Sequence, residues 1–222
     1  MLGQGSYILA EVSRLTGMHY SRVRSWFKQR VDGSSCNPIF VSDYDPAGDD
    51  YAVSFLDLID VLIVEQLRDH HHVPMRVVRR AHTVLGEELR TKHPFCHSDL
   101  YTDGKRIFNC AANRLDEEIL SDVISRQQFF IQIKEKLAHL DYNKISSLAC
   151  RWRIAKGVVI DPLVCMGKPT IEKTGITTHV IANQFYANGK DSALVADLYG
   201  IGEKDVANAV KFEQRYEHRD AA

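Results

Sequence analysis

No run of about 18 apolar residues occurs in this chain, so no segment reads as a membrane-spanning helix. The stretch from Met1 to Arg14 lacks a basic head followed by an apolar run. No secretory leader is therefore expected, and the expected compartment is the cytoplasm. The five cysteines (Cys36, Cys96, Cys110, Cys150 and Cys165) form no CxxC pair, and their number is odd. That argues against a disulfide framework and against a zinc ribbon. There is no glycine-rich phosphate loop, no HExxH and no GxSxG, so neither enzymatic activity nor a cofactor is expected. Net charge is small too, at -1, which excludes a polycation that coats nucleic acid.

What is present is an ordinary globular balance, 45% hydrophobic and 26% charged, over 222 residues. That length suits one large domain or two small ones. Charge is unevenly placed. Residues 1–30 hold Arg14, Arg22, Arg24, Lys28 and Arg30 against Glu11, a local +4. Residues 31–60 hold seven aspartates and neither Lys nor Arg, a local -7.

The expected fold is mainly α with small β hairpins. Leu9, Val12 and Leu15 lie on one face of a first helix, which Gly17 terminates. His19, Tyr20 and Ser21 open a second helix, whose Val23, Trp26 and Phe27 face back onto the first. Two β-prone runs, Ile39 to Val41 and Tyr51 to Val53, flank a turn around Asp45-Pro46-Ala47-Gly48 and predict a hairpin or wing. Ser54 and Asp57 form a capping-box-like start to a helix apolar nearly all round, over residues 55–68. Pro74 starts another, with Val78, Ala81, Leu85 and Leu89 as its inner stripe. A tight hairpin is expected over residues 100–108, and short strands at Leu140 to Tyr142 and Leu148 to Ile154. After an extended Val158 to Pro162 come three helices: Thr178–Ala187, Ser192–Tyr199 and Glu203–Tyr216.

The two ends echo each other. Ser13, Gly17 and Val23 have the spacing of Ala196, Gly200 and Val206: a small residue, a turn glycine and an apolar residue, as in a helix-turn-helix unit. The second helices differ in charge. The N-terminal one presents His19, Tyr20, Ser21, Arg22, Arg24 and Lys28, a set suited to phosphate and base-edge contacts in DNA. The C-terminal one carries Glu203, Lys204, Asp205, Lys211 and Glu213, a balance better suited to protein contact.

Several clusters have blander readings. His70, His71 and His72 point in different directions on a helix and read as a solvated helix end. His93, Cys96 and His97 offer ligand atoms in a loop, but a further partner would have to come from elsewhere, so no metal is expected. Asp116, Glu117 and Glu118 read as a solvated helix start.

Tyr7 to Val12, Leu15-Thr16-Gly17 and Val23 to Trp26, followed by Tyr51 to Leu56, resemble the MerR-type winged helix-turn-helix domain over about residues 5–90. Tyr51-Ala52 stands where the wing of that domain usually carries Tyr-Arg. Val159 to Pro162, Gly167 to Ile171, Thr174-Gly175-Ile176, Gly189 and Val206 to Ala209 resemble the domain-of-unknown-function family 433 over about residues 155–217. The resulting division is 1–90, a mixed connecting region 91–154, and 155–222. Proteins combining the two resemble VapB-type antitoxins. The resemblance implies an autorepressor that binds operator DNA and neutralises a PIN-like ribonuclease toxin. Such nucleases hold Mg²⁺ with clustered carboxylates, which an arginine can pair bidentately, so Arg215 and Arg219 are the candidate toxin contacts. A homodimer is expected, both from two-fold operator reading and because the apolar helix 55–68 needs cover. The alternative is a protein-interaction or dimerisation module whose N-terminal fold no longer reads DNA.

Overall fold

The computed structural model describes residues 4–28, 38–45, 51–70, 73–100 and 137–220. Its described part combines helices with two small antiparallel sheets. The expected hairpin over residues 100–108 apart from Leu100, the acidic run Asp116 to Glu118, and His71 and His72 lie outside these residues.

The N-terminal helix pair forms as its sequence dictates. Strand β1 (Tyr7–Ile8) leads into α1 (Leu9–Thr16), whose Leu9, Val12 and Leu15 are buried. Gly17 adopts φ 83°, and its N–H closes the helix on the Ser13 carbonyl. A side chain would be strained in that left-handed conformation. Helix α2 (Tyr20–Phe27) follows and buries Val23, Trp26 and Phe27.

The expected wing pairing differs. Ile39 and Phe40 are not in a strand: both donate their N–H groups to the Trp26 carbonyl. Strand β2 (Ala52–Val53) pairs instead with β1, Tyr7 opposite Val53. Phe40 packs against Trp26 and Phe27, so the 39–41 run is drawn into the core by its aromatic ring rather than held on a sheet edge.

Helix α3 (Phe55–Glu65) starts with the predicted capping box, Ser54 accepting from the Asp57 N–H and Asp57 accepting from the Ser54 N–H. Leu58, Ile59, Val61, Ile63 and Val64 are fully buried within the single chain. Helix α1 and the turn Pro94–Cys96 cover α3 within the single chain, so its apolar surface does not call for a dimer. One π-helical turn, Gln66–His70, ends the segment, and α4 (Met75–Leu89) follows with Val78, Ala81 and Leu85 inward.

The second sheet is a meander of β3 (Leu140–Tyr142), β4 (Ala149–Ala155), β5 (Val158–Ile160) and β6 (Thr170–Ile171). Three helices close the chain: α5 (Thr178–Ala187), α6 (Ser192–Tyr199) and α7 (Glu203–Asp220). Gly200, at φ 62°, ends α6 as Gly17 ends α1, and donates to the Ala196 and Asp197 carbonyls. A small core of Ile171, Ile181, Ala182, Val195, Ala196, Val206 and Ala209 holds these helices together.

A boundary at residue 155 would cut this arrangement. It falls in the last residue of β4, which pairs with β5. Val158, Ile160 and Phe212 belong to the large N-terminal core, and Arg14 stacks over the Tyr216 ring at 5.2 Å. The two ends meet in this larger core, while the last three helices also keep a small core of their own.

Candidate functional site

The outer face of α2 is the first candidate surface. Burying Val23, Trp26 and Phe27 turns Tyr20, Ser21 and Ser25 outward. His19 sits at the N-cap, where its Nδ1 accepts the Ser21 N–H at 3.3 Å and lies 2.7 Å from the Ser21 hydroxyl. Two of the expected base-reading side chains thus hold each other at the helix start. Tyr20 is exposed, while Arg24 and Lys28 are half-buried.

Arg22 is engaged. Its two terminal nitrogens donate to both oxygens of Asp69, at 2.7 and 2.5 Å, and its guanidinium lies 5.6 Å above the Trp26 ring. Both partners are over a third exposed, so the pair contributes at most about 1 kcal/mol. A phosphate can replace Asp69 at similar cost, because it offers the same bidentate geometry.

Of the C-terminal candidates, Arg215 is exposed at the rim of a 170 Å³ recess between α1, β4 and α7, beside Leu15, Trp152 and Tyr216. Arg219 lies in α7, but its side chain is outside the described residues. Leu194 and Leu198, one turn apart on α6, are exposed, as is Tyr186 on α5.

A further cluster brings together residues distant in sequence. His93, at the turn following α4, places Nδ1 2.7 Å from Asp60 Oδ2 and Nε2 3.0 Å from Asp43 Oδ2. Asp57 Oδ1 lies 4.0 Å from the same ring. Asp57, Asp60 and His93 are buried. Burial works against charge on His93, but the Asp60 hydrogen bond and the charges of Asp60, Asp43 and Asp57 push its pKa up to about 9. Burial raises the Asp57 carboxyl, against the opposing pull of the Ser54 and Asp43 N–H groups. Cys96 donates to the Leu56 carbonyl at 3.2 Å, and burial pushes its thiol well above the usual range. His97 turns away toward Asp99. Asp43 also lines a 260 Å³ cleft with Ser54, Leu56, Asn143, Cys150 and Leu163.

The His93 loop has no further ligand in its own sequence; its partners come from the first turns of α3 and from the 43–45 loop. The signal lay in the apolar helix: Asp57 and Asp60 interrupt a nearly continuous apolar run, and acids there must meet a charged or hydrogen-bonding partner.

The loop between β5 and α5 is built by its own polar residues. Asp161 accepts two hydrogen bonds from Arg151, at 3.1 and 2.9 Å, and one from the Leu163 N–H. Thr170 donates to the Val159 carbonyl, and Thr178 to Glu213. Residues 158–212 match the family described as "Protein of unknown function (DUF433)". The chain carries a DUF433 domain. Asp161 and Thr170 thus serve the architecture of the DUF433 domain. The crystal structure of Rv2018 from Mycobacterium tuberculosis superposes with a TM-score of 0.70 at 22% identity, over 92% of this chain and 96% of that one. The two share a fold. No curated protein matches the chain.

Proposed function

We propose that the chain is an antitoxin that binds operator DNA through α2 and captures a PIN-like ribonuclease through its DUF433 domain. The observation that carries the DNA half is the α1–Gly17–α2 unit. It has a left-handed glycine turn, a buried second-helix face, and an outer face bearing Tyr20, Ser21, Arg22, Arg24 and Lys28. A helix so anchored can lie in a major groove with its N-terminal residues toward the bases. In this reading the unit is a MerR-type helix-turn-helix, and the chain is a VapB-type protein working as a homodimer on a palindrome.

The partner half rests on the sequence resemblance and on the exposed apolar side chains of α5 and α6. Leu194 and Leu198 present adjacent apolar groups to solvent, with Arg215 on α7 as a charged contact. Exposed apolar anchors suit a surface that seats against a protein, and Arg215, at the recess between α1, β4 and α7, offers a separate basic contact to a carboxylate-rich nuclease.

One observation favours a second reading. The Arg22–Asp69 pair already uses the guanidinium expected to meet phosphate, as a protein-interaction module with a retired DNA face would. The test is a search for a small nuclease gene beside this one and co-purification of its product with the chain, with ribonuclease activity read before and after the chain is added. Inhibition at equimolar protein supports the antitoxin reading. Full nuclease activity in the presence of excess chain overturns it.

A further inference from the structure

We propose that Asp43, Asp57 and His93 bind a single divalent transition-metal ion of the zinc type. Each offers one ligand atom, and these atoms lie within 4.8 Å of one another. Two tetrahedral ligands, each about 2.1 Å from one ion, sit about 3.4 Å apart. The 3.0 Å between His93 Nε2 and Asp43 Oδ2 needs only a small outward shift to admit the ion in place of a proton.

The surroundings match what a metal-ligating histidine requires. Its distal nitrogen is held by a carboxylate, Asp60 Oδ2 at 2.7 Å from Nδ1, which fixes the tautomer and aims Nε2 at the ligands. Asp57 is held in turn by the Ser54 and Asp43 N–H groups, and Asp43 by the Ser54 hydroxyl. Three carboxylates converge on the His93 ring, and a dication bound at Nε2 offsets their mutual repulsion. Asp43 opens onto the 260 Å³ cleft, which gives the ion a route and leaves a position for water. One imidazole, two carboxylates and a water suit a borderline-soft ion better than Ca²⁺, which takes six to eight oxygens. Bound there, the ion would fix the 43–45 loop and the His93 turn to the start of α3.

The test uses the full chain, stripped with chelator and titrated with Co²⁺ as a spectroscopic stand-in for Zn²⁺. The expected result is a visible d–d absorption saturating at one equivalent more than in the Asp43→Asn chain, and displaced by Zn²⁺. The His70 to His72 triplet can bind Co²⁺ in both chains, so the difference between them isolates this site. Asp60→Asn should weaken that component by about 10- to 100-fold, as loss of an orienting carboxylate does elsewhere. Circular dichroism checks that each variant is folded. Absence of the one-equivalent component in the folded wild-type chain overturns the proposal. So does an identical titration of folded Asp43→Asn, and, should that variant not fold, an unchanged affinity in Asp60→Asn.

Discussion

The Tyr7 hydroxyl donates to the Gly167 carbonyl at 2.9 Å, joining the first strand to the DUF433 domain across 160 residues of sequence. The bond is buried, and Gly167 sits at φ 83°. A methyl group there would fall on the Tyr7 hydroxyl. Tyr7→Phe leaves the Gly167 carbonyl without this partner, at a cost of about 1–3 kcal/mol. Gly167→Ala adds backbone strain and a clash, and should destabilise more. Urea denaturation followed by circular dichroism measures both, and the expected order is wild type, Tyr7→Phe, Gly167→Ala.

Phe212, on α7, is buried in the same core as α1 and β4. Phe212→Ala should cost about 3–5 kcal/mol and lower one common transition rather than the C-terminal half alone. A chain cut at residue 155 loses Val158, Ile160 and Phe212 from that core and should not fold. The check is the far-ultraviolet spectrum and urea melt of residues 1–154; a cooperative melt of that fragment would contradict the shared interior.

The nuclease contact is therefore best probed by point changes on the surface. Leu194→Asp and Leu198→Asp alter exposed positions and should leave thermal stability within about 0.5 kcal/mol of wild type. Calorimetric titration against the nuclease should show affinity weakened at least tenfold. Unchanged affinity in both variants would remove α6 from the interface.

Much of this architecture was legible because its signals are local. Gly17 and Gly200 end their helices where spacing said they would, and Ser54 caps α3 with Asp57. What escaped is non-local. Tyr7–Ile8 and Ala52–Val53 are two-residue strands that find each other across 44 positions, too short for alternation to reveal. The gathering of Asp43, Asp57 and Asp60 about His93 spans 50 positions. The acidic excess of residues 31–60 was visible as charge, but not that three of those acids turn toward one imidazole.

Asp69 restrains Arg22 in the free protein. Asp69→Asn should free the guanidinium and tighten DNA binding at low salt, while the log–log salt slope stays as in the wild type because Arg22 meets the same phosphate in both chains. The Arg22→Ala, Arg24→Ala double variant should flatten that slope by about two. Fluorescence anisotropy across a salt series reads affinity and slope; a double variant with the wild-type slope would exclude α2 from the DNA interface.

The central claim, that this chain reads operator DNA, is tested most directly by anisotropy titration onto a duplex from its own promoter beside a shuffled duplex of equal length and composition. The account predicts promoter binding at least about 1,000-fold tighter than shuffled binding, with both weakening as salt rises. Equal affinity for the two duplexes, or no binding to either at low salt, would contradict it.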